Sequence, residues 1–219
     1  SDVYKRQEYY TIFVREIETN KIITKEIYDT SGSITFSLDD KYIFYSKLDS
    51  HHRARKIYRH ELGNLDKSDD LIFEEKSEAF TVGICLSSDE KYYFISTSDH
   101  NTSEQYYFNV DEKIPNPKLI KKRRKGILYS INSWDSKFYN HTNEDAEDFK
   151  IDISDSLEKQ NWRTFVAAKN EVLIGSCMFL KNWILRSETS NALDKLFVKN
   201  IKSGIEEQII FSDEPVCVP

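Results

Sequence analysis

SITFSLDDKYIFYS, Ser33 to Ser46, returns fifty residues later as the second part of TVGICLSSDEKYYFIS, Thr81 to Ser96. Ser37, Asp39, Asp40, Lys41, Tyr42 and Phe44 reappear as Ser87, Asp89, Glu90, Lys91, Tyr92 and Phe94. Each copy has an alternating run, Ile34 and Phe36 or Ile84 and Leu86, then a polar turn of four residues, then an aromatic and β-branched run. Ser and Asp open such turns because their side chains bond nearby backbone N–H groups, so the unit reads as a β-hairpin. Two weaker copies follow, SINSWDSKFYNHTN from Ser130 and MFLKNWILRSE from Met178, aligned at Lys137 and Asn182.

After each hairpin comes a second pair of strand-like runs: KIYRHELG with DLIFEEK, EQYYFNVD with PKLIKK, DFKIDISD with WRTFVAA, and KLFVKNIKSG with EEQIIF. Four strands per unit at a period of about 45 to 50 residues is the pattern of β-propeller blades. The opening run YYTIFVREIETNKIITKEIYD reads as the last two strands of a further blade. The predicted fold is therefore all-β, a partial propeller of four to five four-stranded antiparallel blades. The half blade spans 8–30, and full blades span 31–78, 79–123, 124–169 and 170–213. Residues 1–7 read as a truncated or non-native start, and 8–219 as one domain. Propellers close with roughly four to eight blades, so this count is that of a fragment with blades missing on both sides, or of a four-bladed ring completed by the half blade.

Composition agrees with packed sheets: 39% hydrophobic, 13% aromatic and 31% charged among 219 residues. The net charge of −6 argues against nucleic acid or an anionic membrane as the main partner. No apolar run approaches the roughly 18 residues of a membrane span, and the polar start SDVYKRQ lacks the apolar region of a secretory signal. Cys85, Cys177 and Cys217 are odd in number and far apart, which fits neither a disulfide framework nor a zinc site. A reducing, cytoplasmic setting is the simplest expectation.

Residue types that carry chemistry are sparse. His51 and His52 lie in a loop with Arg53, Arg55 and Lys56, without further ligands at metal spacing. His60, His100 and His141 are isolated from any nucleophile. The basic run Lys121, Lys122, Arg123, Arg124, Lys125 and the acidic stretch Glu144, Asp145, Glu147, Asp148 read as solvated loops, with phosphate, acidic-partner or cationic-peptide binding as the sharper alternatives. Asp39 and Asp40 are explained by turn geometry, while Glu74 and Glu75 close a strand with no role assigned. Asn101-Thr102-Ser103 and Asn140-His141-Thr142 match the glycosylation pattern, which matters only in a secreted chain. There is no G-x-S-x-G elbow; Gly175-Ser176-Cys177 lies in a strand pattern instead. Phosphate-binding loops of either common type are missing too. The sequence thus assigns no catalytic, cofactor-binding or metal-binding residue, and no cofactor.

IYRHELG (Ile57 to Gly63), IFEEK (Ile72 to Lys76), TSEQYYFNVD (Thr102 to Asp111), KRRKGILYSINSW (Lys122 to Trp134), FLKNWILRSE (Phe179 to Glu188) and DEPV (Asp213 to Val216) resemble, in order, landmarks of the propeller domain of the oligopeptidase B group of the prolyl oligopeptidase family. The resemblance runs from about Glu8 to the C-terminus. It implies a seven-bladed propeller capping an α/β-hydrolase domain, in a serine peptidase that cleaves short peptides after Arg or Lys. The catalytic Ser, Asp and His of such enzymes belong to the hydrolase domain that follows, and none of those positions falls in this sequence. The implied role of the propeller is gating: it excludes folded proteins and closes on the hydrolase domain around the peptide. The implied partners are that domain of the same parent chain and short peptide substrates. A stand-alone propeller serving as a binding scaffold is the alternative, and an inactive family member a third.

A buried inner-strand set is expected to join the blades: Phe36, Phe44, Phe94, Trp134, Phe138, Trp183 and Ile184.

Overall fold

A computed structural model describes residues 9–65 and 68–210. Among these residues there are seventeen β-strands and no helix. The strands form four antiparallel sheets, and the chain divides after Arg123 into two compact units of two sheets each.

The first sheet has the order β1 (Tyr10–Ile12), β2 (Ile27–Phe36), β3 (Tyr42–Leu48), β4 (Ala54–Glu61), β5 (Asp70–Glu74). The second is β6 (Thr81–Leu86), β7 (Tyr92–Ser98), β8 (Ser103–Asn109), β9 (Lys118–Lys121). In the second unit the third sheet is β10 (Tyr129–Trp134), β11 (Lys137–Thr142), β12 (Lys150–Ser154), β13 (Arg163–Val166), and the fourth is β14 (Leu173–Leu180), β15 (Trp183–Ser190), β16 (Leu193–Asn200), β17 (Glu206–Ile209). Each is a meander, with every strand paired to its sequence neighbour.

The repeat owes its likeness to one turn built twice. Ser37 Oγ donates to Asp39 Oδ1 (2.7 Å) and accepts from the Tyr42 N–H (2.9 Å). Ser87 Oγ does the same with Asp89 (2.8 Å) and Tyr92 (3.0 Å). Asp40 and Glu90 take the left-handed conformation, at φ 54° and 58°. The third hairpin turns more tightly, on Asp135 and Ser136 with Trp134 paired to Lys137. Two successive positive φ values in a two-residue turn match the twist of the flanking strands.

The opening run folds back on itself through the Val14 to Ile23 backbone bond and the Arg15–Ile22 bridge. Its returning strand does not end at residue 30, where sequence reading placed a boundary between half blade and blade. It continues as β2, whose Thr30 pairs with Tyr10 on one side and with Lys47 on the other. Gly32, at φ 84°, lies inside the register break between Thr30 and Ile34, and the Tyr10 ring leaves no room there for a Cβ. Hairpin and first blade therefore share one five-stranded sheet.

Each unit has an apolar seam between its two sheets. Phe44 and Ile57 of the first sheet meet Val82, Tyr93, Ile95 and Phe108 of the second. Tyr139, Ile151, Ile153 and Val166 of the third sheet meet Ile174, Phe179 and Ile184 of the fourth. A further cluster, Ile12, Ile27, Ile43 and Tyr45, seats the opening hairpin on the first sheet.

Phe44, Phe94, Phe138 and Ile184 are buried as expected, and Trp134 is half-buried against Phe179. Phe36 and Trp183 are not: each is 42% exposed. Strand alternation explains Trp183. Ile184 and Phe179 face the third sheet, so their neighbours Trp183, Leu180 and Met178 point the other way, onto an exposed face. Phe36 and Ile34 pair directly with the buried Ile43 and Tyr45 and share their face, but stay exposed outside the cluster that Ile43 and Tyr45 form with Ile12 and Ile27. The end expected near residue 213, the string Asp213 to Val216 and Cys217 lie outside the described residues.

Candidate functional site

The histidines do not converge. His51 and His52 are exposed, and the ring of His52 packs on Tyr9. Around them Asp49 Oδ1 accepts from the N–H groups of His51 (2.8 Å) and Arg53 (3.1 Å), so the loop is held by its own carboxylate. His100 is exposed. His141 stacks on Phe149 and bonds the Ile174 carbonyl at 2.7 Å, and burial pushes its pKa below the usual value. Among the described residues no group of three or more His, Cys, Asp and Glu could hold a metal ion.

Ser176 lies on the exposed side of β14, in a strand, and Cys177 beside it has its thiol pushed up to about 12 by burial. A protonated thiol of that kind is no nucleophile at neutral pH. Asn140, the second glycosylation match, is buried in β11, whereas Asn101 is exposed and accepts from the Thr102 hydroxyl at 3.0 Å.

The basic run is not a uniform exposed patch. Arg124 pairs with Glu144, so in the second unit the basic run and the acidic stretch meet each other. Arg123, in the first unit, is drawn into a buried cluster. Its two terminal nitrogens contact Glu75 at 3.0 and 3.1 Å, and its backbone N–H donates to Glu104 Oε1 at 2.9 Å. Thr97 and the Ser77 N–H complete the shell of Glu75, each at 2.8 Å. Glu75 is only 3% exposed; burial raises its pKa, but these donors outweigh that and hold it below the usual range. Tyr106 donates to Glu104 at 2.9 Å, and burial with that carboxylate pushes the phenol up to about 12.

Two further ionic centres are as well formed. In the first unit Asp69 accepts from Lys25 (2.8 Å), Tyr45 (2.5 Å) and His60 Nδ1 (2.9 Å), while His60 Nε2 is buried with no hydrogen-bond partner. In the second unit Arg186 grips Glu188 (2.6 and 3.2 Å) and Glu206 (2.8 and 3.1 Å), and Lys169 adds bonds to Glu188 at 2.7 and 2.8 Å. All three centres join strands to loops or strands to strands. Sequence reading named Glu75, the basic run and His60 but did not connect them to these centres, because key partners lie far off in the chain: Glu75 48 residues from Arg123, Tyr45 24 from Asp69 and Glu206 20 from Arg186.

A slot of about 600 Å3 opens between the turn ends of the first two sheets, floored by Phe44, Tyr93 and Phe108 and rimmed by Asp39, Lys41 and Glu112. Arg59 lies in its wall, 4.4 Å over the Tyr42 ring, with its terminal nitrogens bonded to the Lys113 carbonyl (2.9 Å) and to Asp70 (2.8 Å). The slot can bury an apolar or aromatic group on its floor; of its charged lining, Arg59 is bonded into the protein, whereas Lys41 and Asp39 pair with each other in the open.

A scaffold of repeated four-stranded meanders with structural ion clusters is a propeller, and comparison identifies which kind. The N-terminal β-propeller domain of prolyl oligopeptidase matches residues 4–217, and the chain belongs to that family. It is 30% identical over 212 residues to Protease 2 of Moraxella lacunata, covering 94% of this chain and 30% of that protein. It is 25% identical over 210 residues to dipeptidyl aminopeptidase BI of Pseudoxanthomonas mexicana, covering 94% of this chain and 28% of that one. Its fold superposes on oligopeptidase B from Leishmania major with a TM-score of 0.86 at 20% identity, over 94% of this chain and 30% of the other. Oligopeptidase B from Trypanosoma brucei gives 0.80 at 18% identity, over 86% and 28%. The chain thus spans about 30% of the length of the relatives it matches.

Proposed function

We propose that this chain is part of the propeller that gates an oligopeptidase B-like serine peptidase, one that cleaves short peptides after Arg or Lys. The observation that carries the reading is the family match over 4–217 in a chain that spans about 30% of Protease 2. In this reading the catalytic triad resides in the hydrolase domain of the parent, and the propeller excludes folded proteins and closes around the peptide. The exposed faces at Phe36 and at Trp183 and Met178 are then covered by further blades of a seven-bladed ring. Free thiols at Cys85 and Cys177 suit a cytoplasmic parent.

The binding-scaffold alternative has less support. Its best basic surface, residues 121–125, has Arg123 and Arg124 engaged by the chain's own carboxylates. The test is to express the complete parent reading frame and assay fluorogenic dipeptides ending in Arg, Lys or Leu. Cleavage after Arg and Lys, blocked by a serine-directed inhibitor, supports the proposal; cleavage after Leu alone refutes the specificity, and no cleavage refutes the activity.

A further inference from the structure

Arg123 is where the first unit ends, and four elements of that unit converge on it. Glu75 follows β5 at the exit of the first sheet, Phe80 lies on the connector to β6, Thr97 is in β7 and Glu104 in β8. The guanidinium lies 4.1 Å over the Phe80 ring while both terminal nitrogens hold Glu75 and the Nε approaches Glu104 Oε2 at 3.8 Å. We propose that Arg123 is the pin of an ionic clasp that keeps β9 and the connector 75–80 shut, fixing the point from which the chain leaves the first unit.

Two buried carboxylates, Glu75 and Glu104, share one guanidinium. The other charged or titratable groups facing the cluster are Tyr106, whose hydroxyl is already given to Glu104, and Arg55, whose Nε donates to the Glu75 carbonyl at 3.3 Å while its charge pairs with Asp49 at 3.6 Å and with Glu78 at 4.0 Å. Arg123 supplies the cation bonded to both carboxylates and grips Glu75 with both prongs of its fork, whereas a lysine offers charge without the fork. The segments that would then yield are the weak ones. β9 has four residues and only three register pairs to β8, with a break between Gln105 and Tyr106. The seam residues Tyr93, Ile95 and Phe108 are not part of the clasp and would keep β7 and β8 folded. The clasp is therefore a local closure, which acid should release by protonating Glu75, whose donors hold it ionised.

Native-state hydrogen exchange on the full chain tests this, using wild type, Arg123→Met and Arg123→Lys. In Arg123→Met the amides of β9 and of 76–80 should exchange at least about tenfold faster, those of β7 less than about threefold faster, and Arg123→Lys should fall between. After correction for intrinsic rates, opening of β9 in wild type should rise as the pH falls below about 4.3, the ordinary glutamate value, and this dependence should flatten in Arg123→Met. Unchanged β9 exchange in Arg123→Met, equal acceleration of β7 and β9, or an unaltered acid profile would each overturn the proposal. If Arg123→Met does not fold, wild type alone decides: β9 must open in acid before β7, and simultaneous opening contradicts the clasp.

Discussion

Phe44 of β3 and Tyr93 of β7 meet with ring centroids 4.8 Å apart, tilted by 47°, and this contact is the centre of the seam joining the first two sheets. Both rings are almost fully buried. Phe44→Ala removes an aromatic ring from a place that cannot collapse without separating two sheets, so it should cost about 3 to 5 kcal/mol in urea unfolding. Met178→Ala, on the exposed face of the fourth sheet, should change stability by less than about 0.5 kcal/mol in this chain.

Asp69 ties the opening hairpin to the first sheet through Lys25, Tyr45 and His60. Burial raises its pKa, but the three donors together outweigh burial and hold the carboxyl below its ordinary value. A depressed carboxylate stabilises the fold fully above the unfolded value, about pH 3.9, and that contribution is lost as the pH falls through the lower folded value. Asp69→Asn should therefore cost about 1.5 to 3 kcal/mol at neutral pH and much less in strong acid. Denaturation curves at the two pH values check this.

Arg186 and Glu188 are both buried in β15, and Glu206 of β17 completes the pair. Arg186→Ala leaves Glu188 with Lys169 alone and should destabilise the second unit by about 3 kcal/mol, the lower end for a broken buried pair. Arg186→Met with Glu188→Leu should recover most of the loss, because the two fully buried charges go together and the partners they leave, Lys169 and Glu206, are part-exposed. Thermal unfolding of the two variants separates the outcomes.

Ser37 and Ser87 do one job in two blades. Ser37→Ala and Ser87→Ala should each cost about 1 kcal/mol, since each removes the hydroxyl that serves both Asp and Tyr in its turn. Lying in different turns without shared partners, the two losses should add within about 0.5 kcal/mol in the double variant.

The four hairpins were readable because each is local: Ser37 serves Tyr42, five residues away, and Asp135 with Ser136 closes a two-residue turn. What could not be read depends on distant neighbours. Phe36 and Trp183 have the composition of core residues, yet burial is set by whether another sheet lies against that face. Arg123 looked like one cation in a basic run because its partners Glu75 and Glu104 are 48 and 19 residues away. The merger of the half blade into the first sheet was hidden for a different reason. A strand that changes partners at Gly32 shows no break in its hydrophobic pattern.

The most direct test of the central claim is the sequence of the gene read in frame past Pro219. A propeller that gates a peptidase requires a continuation of roughly 400 to 450 residues that includes a G-x-S-x-G elbow on a strand-to-helix turn, followed by Asp and His. A stop codon near Pro219 together with a native start near Ser1 would contradict it, leaving a free-standing propeller whose function must be sought in its binding partners.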